Sequence, residues 1–193
     1  MAGNARYTAV LDACVLYSIA MTDALLSLAT AGLFGAKWST RIEEEWISAL
    51  EARRPDLKGR LSVRRDSMRE AVPDWEVPET AWAPLVDSFA LPDPKDRHVL
   101  AAALAGHADC IVTANVRDFP ADIVGTYGIE VVHPDHFIIN QWDLEPLIAI
   151  AAFKRMRARR KRPQTTVENF AVALEQNGLP LTAQRVLEAA ELL

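Results

Sequence analysis

The chain has 193 residues, half of them hydrophobic and 24% charged, which is the composition of an ordinary soluble globular protein. Its length suits one domain, or one domain with a smaller appendage. A formal net charge of −5 excludes attraction of nucleic acid by the molecule as a whole, so only a local basic patch could bind it. The sequence shows no signal-peptide pattern and no uncharged stretch of roughly 20 residues, which argues against a membrane span and favours the cytoplasm.

Two cysteines, Cys14 and Cys110, are too few for a zinc site of their own and form no C-x-x-C pair. Each borders an apolar run. Both are therefore interpreted as buried small hydrophobic residues in a protein of a reducing compartment.

Short apolar strands alternate with helical patterns along the first 140 residues. The predicted strands lie in YTAVLD, in AKWS, near Trp75 to Val77, in DCIVTAN and in IEVVHP. The predicted helices lie in ACVLYSIAMTDALLSLATAGLF, STRIEEEWISALEARRP and DLKGRLSVRRDSMREAV, after Glu79, in PKDRHVLAAALAGHA and in PDHFIINQW. Ser39 or Thr40 is the expected N-cap of the helix that contains EEEW, and Thr22 is a candidate N-cap inside the first helical segment.

This order of elements predicts an α/β fold with a parallel sheet covered on both faces, because the strands are apolar throughout rather than alternating. We expect this domain at residues 5–140. Residues 141–193 show only helical patterns, ending in a helix, a Gly-Leu-Pro turn and a second helix. The prediction is therefore a three-layer α/β/α domain with a C-terminal helical extension.

Acidic and amide side chains cluster near the expected strand ends. Asp12 ends the first strand, and Asn115 and Asp118 follow the strand CIVTA. Glu45 and Asp96 stand early in two helices. Ligands of open parallel sheets bind beyond the carboxyl ends of the strands. Carboxylates gathered there would repel one another unless a hard cation such as Mg²⁺ or Mn²⁺ lies among them.

Each acid also has a simpler interpretation. An aspartate at a strand end is often a turn residue or a helix cap, and Asp93, directly before Pro94, is a ready N-cap. The run Glu43 to Glu45 is typical of a solvated first helical turn. Only the combined spacing favours a shared metal site.

Four motifs follow one another along the chain: VLDACVLYS, STRIEEEW, DPKDRHVLAAAL and IVTANVRDF. Together, and in this order within about residues 7–139, they resemble the PIN-domain family of metal-dependent ribonucleases. In the second motif the family places its Glu six residues after the Ser, which selects Glu45 over its two neighbours.

The resemblance implies an endoribonuclease that depends on Mg²⁺ or Mn²⁺. Its catalytic acids would be Asp12, Glu45, Asp96 and Asp118. Asp12, Asp96 and Asp118 would bind the metal together with Asn115, which stands where some members have Asp. Asp93, Ser39 and Thr113 would be accessory polar groups.

Many bacterial members, the VapC-like ones, are toxins inhibited by a cognate antitoxin, and a homodimer is common among them. The resemblance therefore implies RNA as substrate and an antitoxin protein as partner. No membrane association is expected, because the sequence has no long uncharged stretch. The helical tail indicates a longer subgroup.

A basic run, KRMRARRKR at residues 154–162, contrasts with the acidic chain. It predicts contact with RNA phosphates through Arg155, Arg157, Arg159, Arg160 and Lys161. A solvated helix face is the alternative. The arginines that could extend this surface are Arg53, Arg54, Arg64, Arg65 and Arg69.

Three rival interpretations are weaker. A metal site at His133 and His136 is disfavoured, because Pro134 and Asp135 between them indicate a helix start. A phosphatase-type hydrolase with Asp12 as nucleophile usually needs a second acid two residues later, where Cys14 stands. A non-catalytic module that binds RNA or a protein stays open.

Overall fold

The structure, a computed structural model, describes residues 7–159 and 165–193. Its strands are β1 (Thr8–Leu11), β2 (Gly35–Lys37), β3 (Cys110–Val112) and β4 (Glu130–Val132). Its α-helices are α1 (Ala13–Tyr17), α2 (Ile19–Thr30), α3 (Thr40–Arg53), α4 (Ser62–Ala71), α5 (Glu79–Trp82), α6 (Arg97–Ala105), α7 (Ala121–Val124), α8 (Pro134–Leu144), α9 (Pro146–Ala158), α10 (Val167–Gln176) and α11 (Pro180–Glu188). Short 3₁₀ turns lie at Pro55–Leu57, Ala83–Ser88, Pro94–Asp96, Val116–Asp118, Gly125–Tyr127 and Ala190–Leu192.

The chain forms two compact units. The first contains the chain up to Tyr17 together with Phe34–His133, and so holds all four strands. The second contains Ser18–Leu33 and Pro134–Leu193, and is helical. The division predicted from the sequence lay at residue 140 and assigned α2 to the first domain, whereas α2 packs with the C-terminal helices.

The sheet of the first unit is parallel, with the strand order β2-β1-β3-β4. Ala9, Val10 and Leu11 of β1, like all three residues of β3, are fully buried, as expected for central strands covered on both faces. Leu11 pairs with Val112. Because the two strands run parallel and in this register, the next residues, Asp12 and Thr113, leave the sheet side by side.

The strand predicted near Trp75 to Val77 is reduced to one parallel bridge between Trp38 and Glu76. The Trp38 N–H donates to the Trp75 carbonyl at 2.8 Å, and the Val77 N–H donates to the Trp38 carbonyl at 2.9 Å. The rings of Trp38 and Trp75 stack with centroids 5.3 Å apart. The segment around Trp75 to Val77 therefore adds one bridge beside the end of β2 and does not form a fifth strand in the described structure.

Helix caps were predicted with mixed success. Ser39 caps α3, accepting from the Ile42 N–H at 3.3 Å, and Asp93 caps the turn at Pro94–Asp96. The prediction for Thr22 was wrong, because α1 ends at Tyr17 and the helix break falls at Ser18, which caps α2. Thr22 lies within α2, and its hydroxyl donates to the Ser18 carbonyl at 2.7 Å.

The second unit is held by buried side chains and one acidic cap. The predicted helix–turn–helix is present as α10 and α11, joined through Gly178, whose φ of +79° favours glycine. Asp135, 2% exposed, accepts from the N–H groups of Leu181 and Thr182 at 2.8 and 2.9 Å and from the Thr182 hydroxyl at 2.7 Å. These bonds satisfy the first turn of α11.

The predicted fold class is confirmed: the first unit is a three-layer α/β/α domain with a parallel central sheet, and helices make up the C-terminal part. Across the described residues, every helix is too short or too polar to cross a bilayer.

Candidate active site

Asp12 lies at the carboxyl end of β1 and is 7% exposed. One carboxylate oxygen, Oδ1, accepts from the Ala13 N–H at 2.6 Å. The other, Oδ2, accepts from the Thr113 hydroxyl at 2.7 Å and from the Cys14 thiol at 3.0 Å. Three donors therefore hold this carboxylate in one orientation at the strand edge.

Thr113 connects Asp12 to the loop that carries the other predicted ligands. It is fully buried, and its hydroxyl also accepts from the Asn115 N–H at 3.0 Å. The Asp118 N–H in turn donates to the Asn115 carbonyl at 3.0 Å. This turn fixes the backbone of the T-x-N-x-x-D motif beside β1, with the side chain of Asn115 exposed and Asp118 half-buried.

Asp96 is electrostatically coupled to the other aspartates. Its pKa is raised from 3.8 to about 6, first by burial and then by the charges of Asp12, Asp118 and Asp93 in that order. Charge coupling of this kind fades with distance, so Asp96 shares one electrostatic environment with these aspartates. Asp96 ends the turn before α6 and Asp118 ends the turn after β3.

Glu45 has different partners from those expected. Its Oε1 lies 3.4 Å from Arg41 Nε and 2.9 Å from His98 Nε2. Burial opposes ionisation, but His98 and Arg41 outweigh it and lower the pKa of Glu45. No described contact joins Glu45 to Asp12, Asp96 or Asp118, although it lines a cavity with Ala13 and Cys14.

The neighbouring glutamates contradict the expectation of a solvated helical turn in part. Glu44 is exposed, whereas Glu43 is 2% exposed and pairs with Arg69. Glu43 also accepts from Trp38 Nε1 at 2.9 Å. The guanidinium group of Arg69 is therefore engaged by a buried carboxylate and is not free to bind RNA.

The predicted RNA-binding arginines differ in how free their guanidinium groups are. Arg155 is exposed. Arg157 donates to the carbonyls of Thr165 and Leu193 at 2.8 and 2.9 Å, and Arg159 binds Asp23 and Ser27. Arg160 and Lys161 lie outside the described residues. Among the arginines suggested to extend this surface, Arg64 donates to the Leu16 carbonyl at 2.6 Å and covers the Trp46 ring.

Sequence reasoning missed two residues at the site. Cys14 was interpreted as a buried hydrophobic residue, but its thiol donates to Asp12, and burial followed by the Asp12 charge raises its pKa to about 12. His98 was given no role, yet it contacts Glu45. Their positions two residues after Asp12 and Asp96 were the available signal.

The donor chemistry of the aspartate cluster fits a hard divalent cation, since the carboxylates repel one another and are all oxygen ligands. Within the described ranges, however, no three His, Cys, Asp or Glu side chains are arranged to hold one ion. Charge coupling, rather than a completed ligand set, is what supports a metal here.

Residues 8–117 match the PIN domain family, which covers more than half of the chain. The chain belongs to the PIN-domain family. Residues 134–188 match a second family, the VapC50 C-terminal domain. The PIN-domain match contains Asp12, Glu45 and Asp96 and ends one residue before Asp118. The match to the VapC50 C-terminal domain corresponds to helices α8 to α11.

A curated relative of this PIN-domain protein is "Putative ribonuclease VapC50" of Mycobacterium tuberculosis (strain ATCC 25618 / H37Rv). The two are 52% identical over 50 residues, which cover 26% of this chain and 30% of the relative. The match therefore spans less than a third of the relative's length. No solved structure matches this chain significantly.

Proposed function

We propose that this PIN-domain protein is an endoribonuclease that depends on Mg²⁺ or Mn²⁺, and that it is the toxin of a toxin–antitoxin pair. The observation that carries the catalytic proposal is the coupling of Asp96 to Asp12 and Asp118, three acids from distant parts of the chain. Family membership and the name of the curated relative support ribonuclease activity.

In this proposal Asp12, Asp96 and Asp118 hold the ion together with the amide oxygen of Asn115. When bound, the ion supplies an activated water and stabilises negative charge on the phosphate oxygens. The Thr113 hydroxyl keeps Asp12 oriented by donating to Oδ2. Asp93 adds negative charge beside Asp96, and Glu45 is a further acid at the adjoining cavity.

The reaction proposed is hydrolysis of a phosphodiester. A bond forms between the water oxygen and phosphorus, and the bond from phosphorus to the 3′ oxygen breaks. The water loses a proton to solvent and the 3′ oxygen gains one, which leaves a 5′-phosphate and a 3′-hydroxyl.

The partners and location follow from the same proposal. A separate antitoxin protein would block the site, and a homodimer is proposed by resemblance to other VapC-like proteins. We place the protein in the cytoplasm, where its RNA substrate would be found.

The decisive experiment replaces Asp12 with Asn and measures cleavage of a mixed RNA pool with Mg²⁺, with Mn²⁺ and with EDTA. We expect loss of cleavage by at least about a hundredfold for Asp12→Asn, and in EDTA for the wild type, since both remove charge needed at the site. Asp122→Asn, a change of an exposed acid on α7, is the matched control and should cleave like the wild type. Full cleavage by Asp12→Asn would end the proposal.

The rival proposal is a non-catalytic module that binds RNA or a protein. It predicts metal-free RNA binding that survives loss of both Asp12 and Asp96 but fails when Arg157, Arg159 and Arg160 are neutralised. Because Arg157 and Arg159 already bind groups of the protein itself, the nuclease proposal is preferred.

A further inference from the structure

His98 lies next to two acids of the candidate active site, Glu45 and Asp96. Its Nε2 atom is 2.9 Å from Glu45 Oε1. It is also the second residue of α6, two positions after Asp96. The pKa of Asp96 is raised first by burial and then by its acidic neighbours, and the charge of His98 acts against that rise. A side chain of α6 therefore connects Glu45 of α3 with the turn that carries Asp96.

The ring of His98 is fixed by its surroundings. The residue is 5% exposed, the Trp82 ring packs with its centroid 6.0 Å away, and the next two residues, Val99 and Leu100, are fully buried. Neither ring nitrogen reaches solvent, so neither can touch a substrate. An effect of His98 on a reaction must therefore pass through another side chain, and the acid in contact with it is Glu45.

Glu45 presents one oxygen to His98 and leaves the other to a cavity. Its described contacts, with His98 and at 3.4 Å with Arg41, are both made by Oε1. The side chain is 33% exposed and lines a cavity of about 350 Å³ together with Cys14. Because the Cys14 thiol donates to Asp12, this cavity adjoins the aspartate cluster. Oε2 is therefore the oxygen available to a molecule in the cavity.

Of the two contacts of Oε1, the one with His98 is better suited to hold Glu45 in place. Arg41 is 55% exposed and lies one turn away on the same helix, and exposed pairs of this kind restrain little because water competes for both charges. The His98 contact is shorter and comes from a buried ring on a different helix. Its Nε2 is off the line of an ideal hydrogen bond, but hydrogen bonds at catalytic sites are often poorly aligned until a substrate binds.

We propose that His98 is a positioning residue, which holds Oε1 of Glu45 so that Oε2 faces the cavity beside Asp12. A carboxylate oxygen placed there accepts a hydrogen bond from a water or from a hydroxyl of the substrate. His98 acts on the reaction only through Glu45. Its effect on cleavage rests on the proposed ribonuclease function, whereas its hold on Glu45 does not.

The first test observes the histidine ring nitrogens of ¹⁵N-labelled protein by NMR, with His98→Gln identifying the signals of His98. Glu45→Gln removes the negative charge next to Nε2 and should shift these signals. Glu44→Gln, a change of the exposed neighbour in the same helix, is the matched control and should leave them unchanged. Equal spectra of the two variants would mean that His98 does not hold Glu45.

The second test compares two amide replacements of His98 in RNA cleavage with Mg²⁺. The amide nitrogen of Gln reaches the place of Nε2, whereas that of Asn reaches only the place of Nδ1, so the variants differ in the contact with Glu45 and not in polarity. We expect His98→Asn to lower kcat by about tenfold with KM unchanged, and His98→Gln to stay within about threefold of the wild type. Urea unfolding verifies that both variants are folded in the assay. Equal losses of kcat would indicate a merely structural role and overturn the proposal.

A double-mutant cycle tests whether His98 acts through Glu45. Glu45→Gln should itself lower kcat by about tenfold or more, and adding His98→Asn should cost little further, because residues that act as a unit do not contribute independently. Losses that multiply would show that His98 acts by another route. A Glu45→Gln variant that cleaves like the wild type would leave His98 with nothing to position.

The two proposals fail separately. If the wild type cleaves no RNA but Glu45→Gln shifts the His98 signals, the contact stands, and the nuclease, with the role of His98 in cleavage, is wrong. If RNA is cleaved as proposed but His98→Asn and His98→Gln cleave alike, the nuclease stands and the positioning role is wrong.

Discussion

At the scale of single residues, two side-chain donors orient one oxygen of the Asp12 carboxylate, and a backbone N–H orients the other. Thr113 and Cys14 both donate to Oδ2, and the thiol stays protonated because its pKa is raised to about 12. Cys14 thus acts as a neutral donor where a phosphatase-type hydrolase would carry an acid.

Asp96 is the residue whose protonation should be visible in the stability of the protein. Its pKa rises from 3.8 to about 6 in the folded chain, first by burial and then by the charges of Asp12, Asp118 and Asp93. The folded state therefore holds the proton more tightly than the unfolded state. The stability contributed by this group is complete below about pH 4 and is lost as the pH rises through about 6.

We predict that the metal-free protein loses about 1 kcal/mol of unfolding free energy between about pH 4 and pH 7, a value reduced for screening because Asp96 is half-exposed. Asp96→Asn should flatten this slope and be the more stable protein near neutral pH in EDTA. Urea unfolding of both proteins across this range measures the difference. A wild-type slope that persists in Asp96→Asn would contradict the assignment.

The same pair of proteins tests metal binding without an activity assay. Mg²⁺ at neutral pH should raise the unfolding midpoint of the wild type, because an ion that binds only the folded state stabilises it. Asp96→Asn should respond less. An equal response of the two would remove Asp96 from the ligand set.

At the scale of elements, α3 shows why a run of three glutamates cannot be interpreted as one feature. Successive residues of a helix point about 100° apart, so the three side chains face three environments. Glu43 faces Trp38 and Arg69 in the interior, Glu44 faces solvent, and Glu45 reaches His98. Because Glu43 lies in α3 and Arg69 in α4, their ion pair also links these two helices.

We predict that Glu43→Gln lowers the unfolding free energy by about 2 kcal/mol. Breaking a fully buried ion pair costs about 3–5 kcal/mol, and the loss is smaller here because Arg69 keeps access to water. Glu44→Gln, one residue away and exposed, should change it by less than about 0.5 kcal/mol. Urea unfolding of both variants provides the comparison, and equal effects would mean that the Glu43 pair adds nothing to stability.

At the scale of the whole molecule, an acidic chain must attract a polyanion through local charge. The basic run that begins in α9 was the feature proposed for this, but the arginines of its described part are not equivalent. Arg155 is exposed, whereas Arg157 holds the carbonyls of Thr165 and Leu193 within the helical unit. Replacing an exposed arginine should change the binding of a polyanion, whereas replacing an arginine that bonds to the protein itself should change stability.

We predict that Arg155→Gln weakens RNA binding and lowers its salt dependence by about one unit of slope, with little change in stability. Arg157→Gln should instead lower the thermal midpoint of the protein, since two carbonyl oxygens lose their donor. Binding titrations at several salt concentrations and thermal unfolding separate the two effects. A drop in stability with Arg155→Gln and none with Arg157→Gln would reverse these roles.

Local chemistry was enough to predict most elements of this protein and the order of its motifs. Apolar β1 and β3, the Ser39 and Asp93 caps and the Gly178 turn follow from short-range rules of backbone and side-chain preference. Asp12, Asn115 and Asp118 could be chosen as candidates because parallel strands bring their carboxyl ends to one edge. Asp93, Asp96 and Glu45 were chosen by the resemblance to the PIN-domain family.

Only the tertiary structure decided which partner each charged side chain would meet. The placing of α2 with the C-terminal helices, the burial of Glu43 against Arg69 and the approach of His98 to Glu45 all depend on contacts between residues far apart in the chain. Such contacts depend on how elements pack, whereas periodicity reports only which face of one element is apolar. The sequence thus determined the elements and the candidate acids, and the packing determined their electrostatic environment.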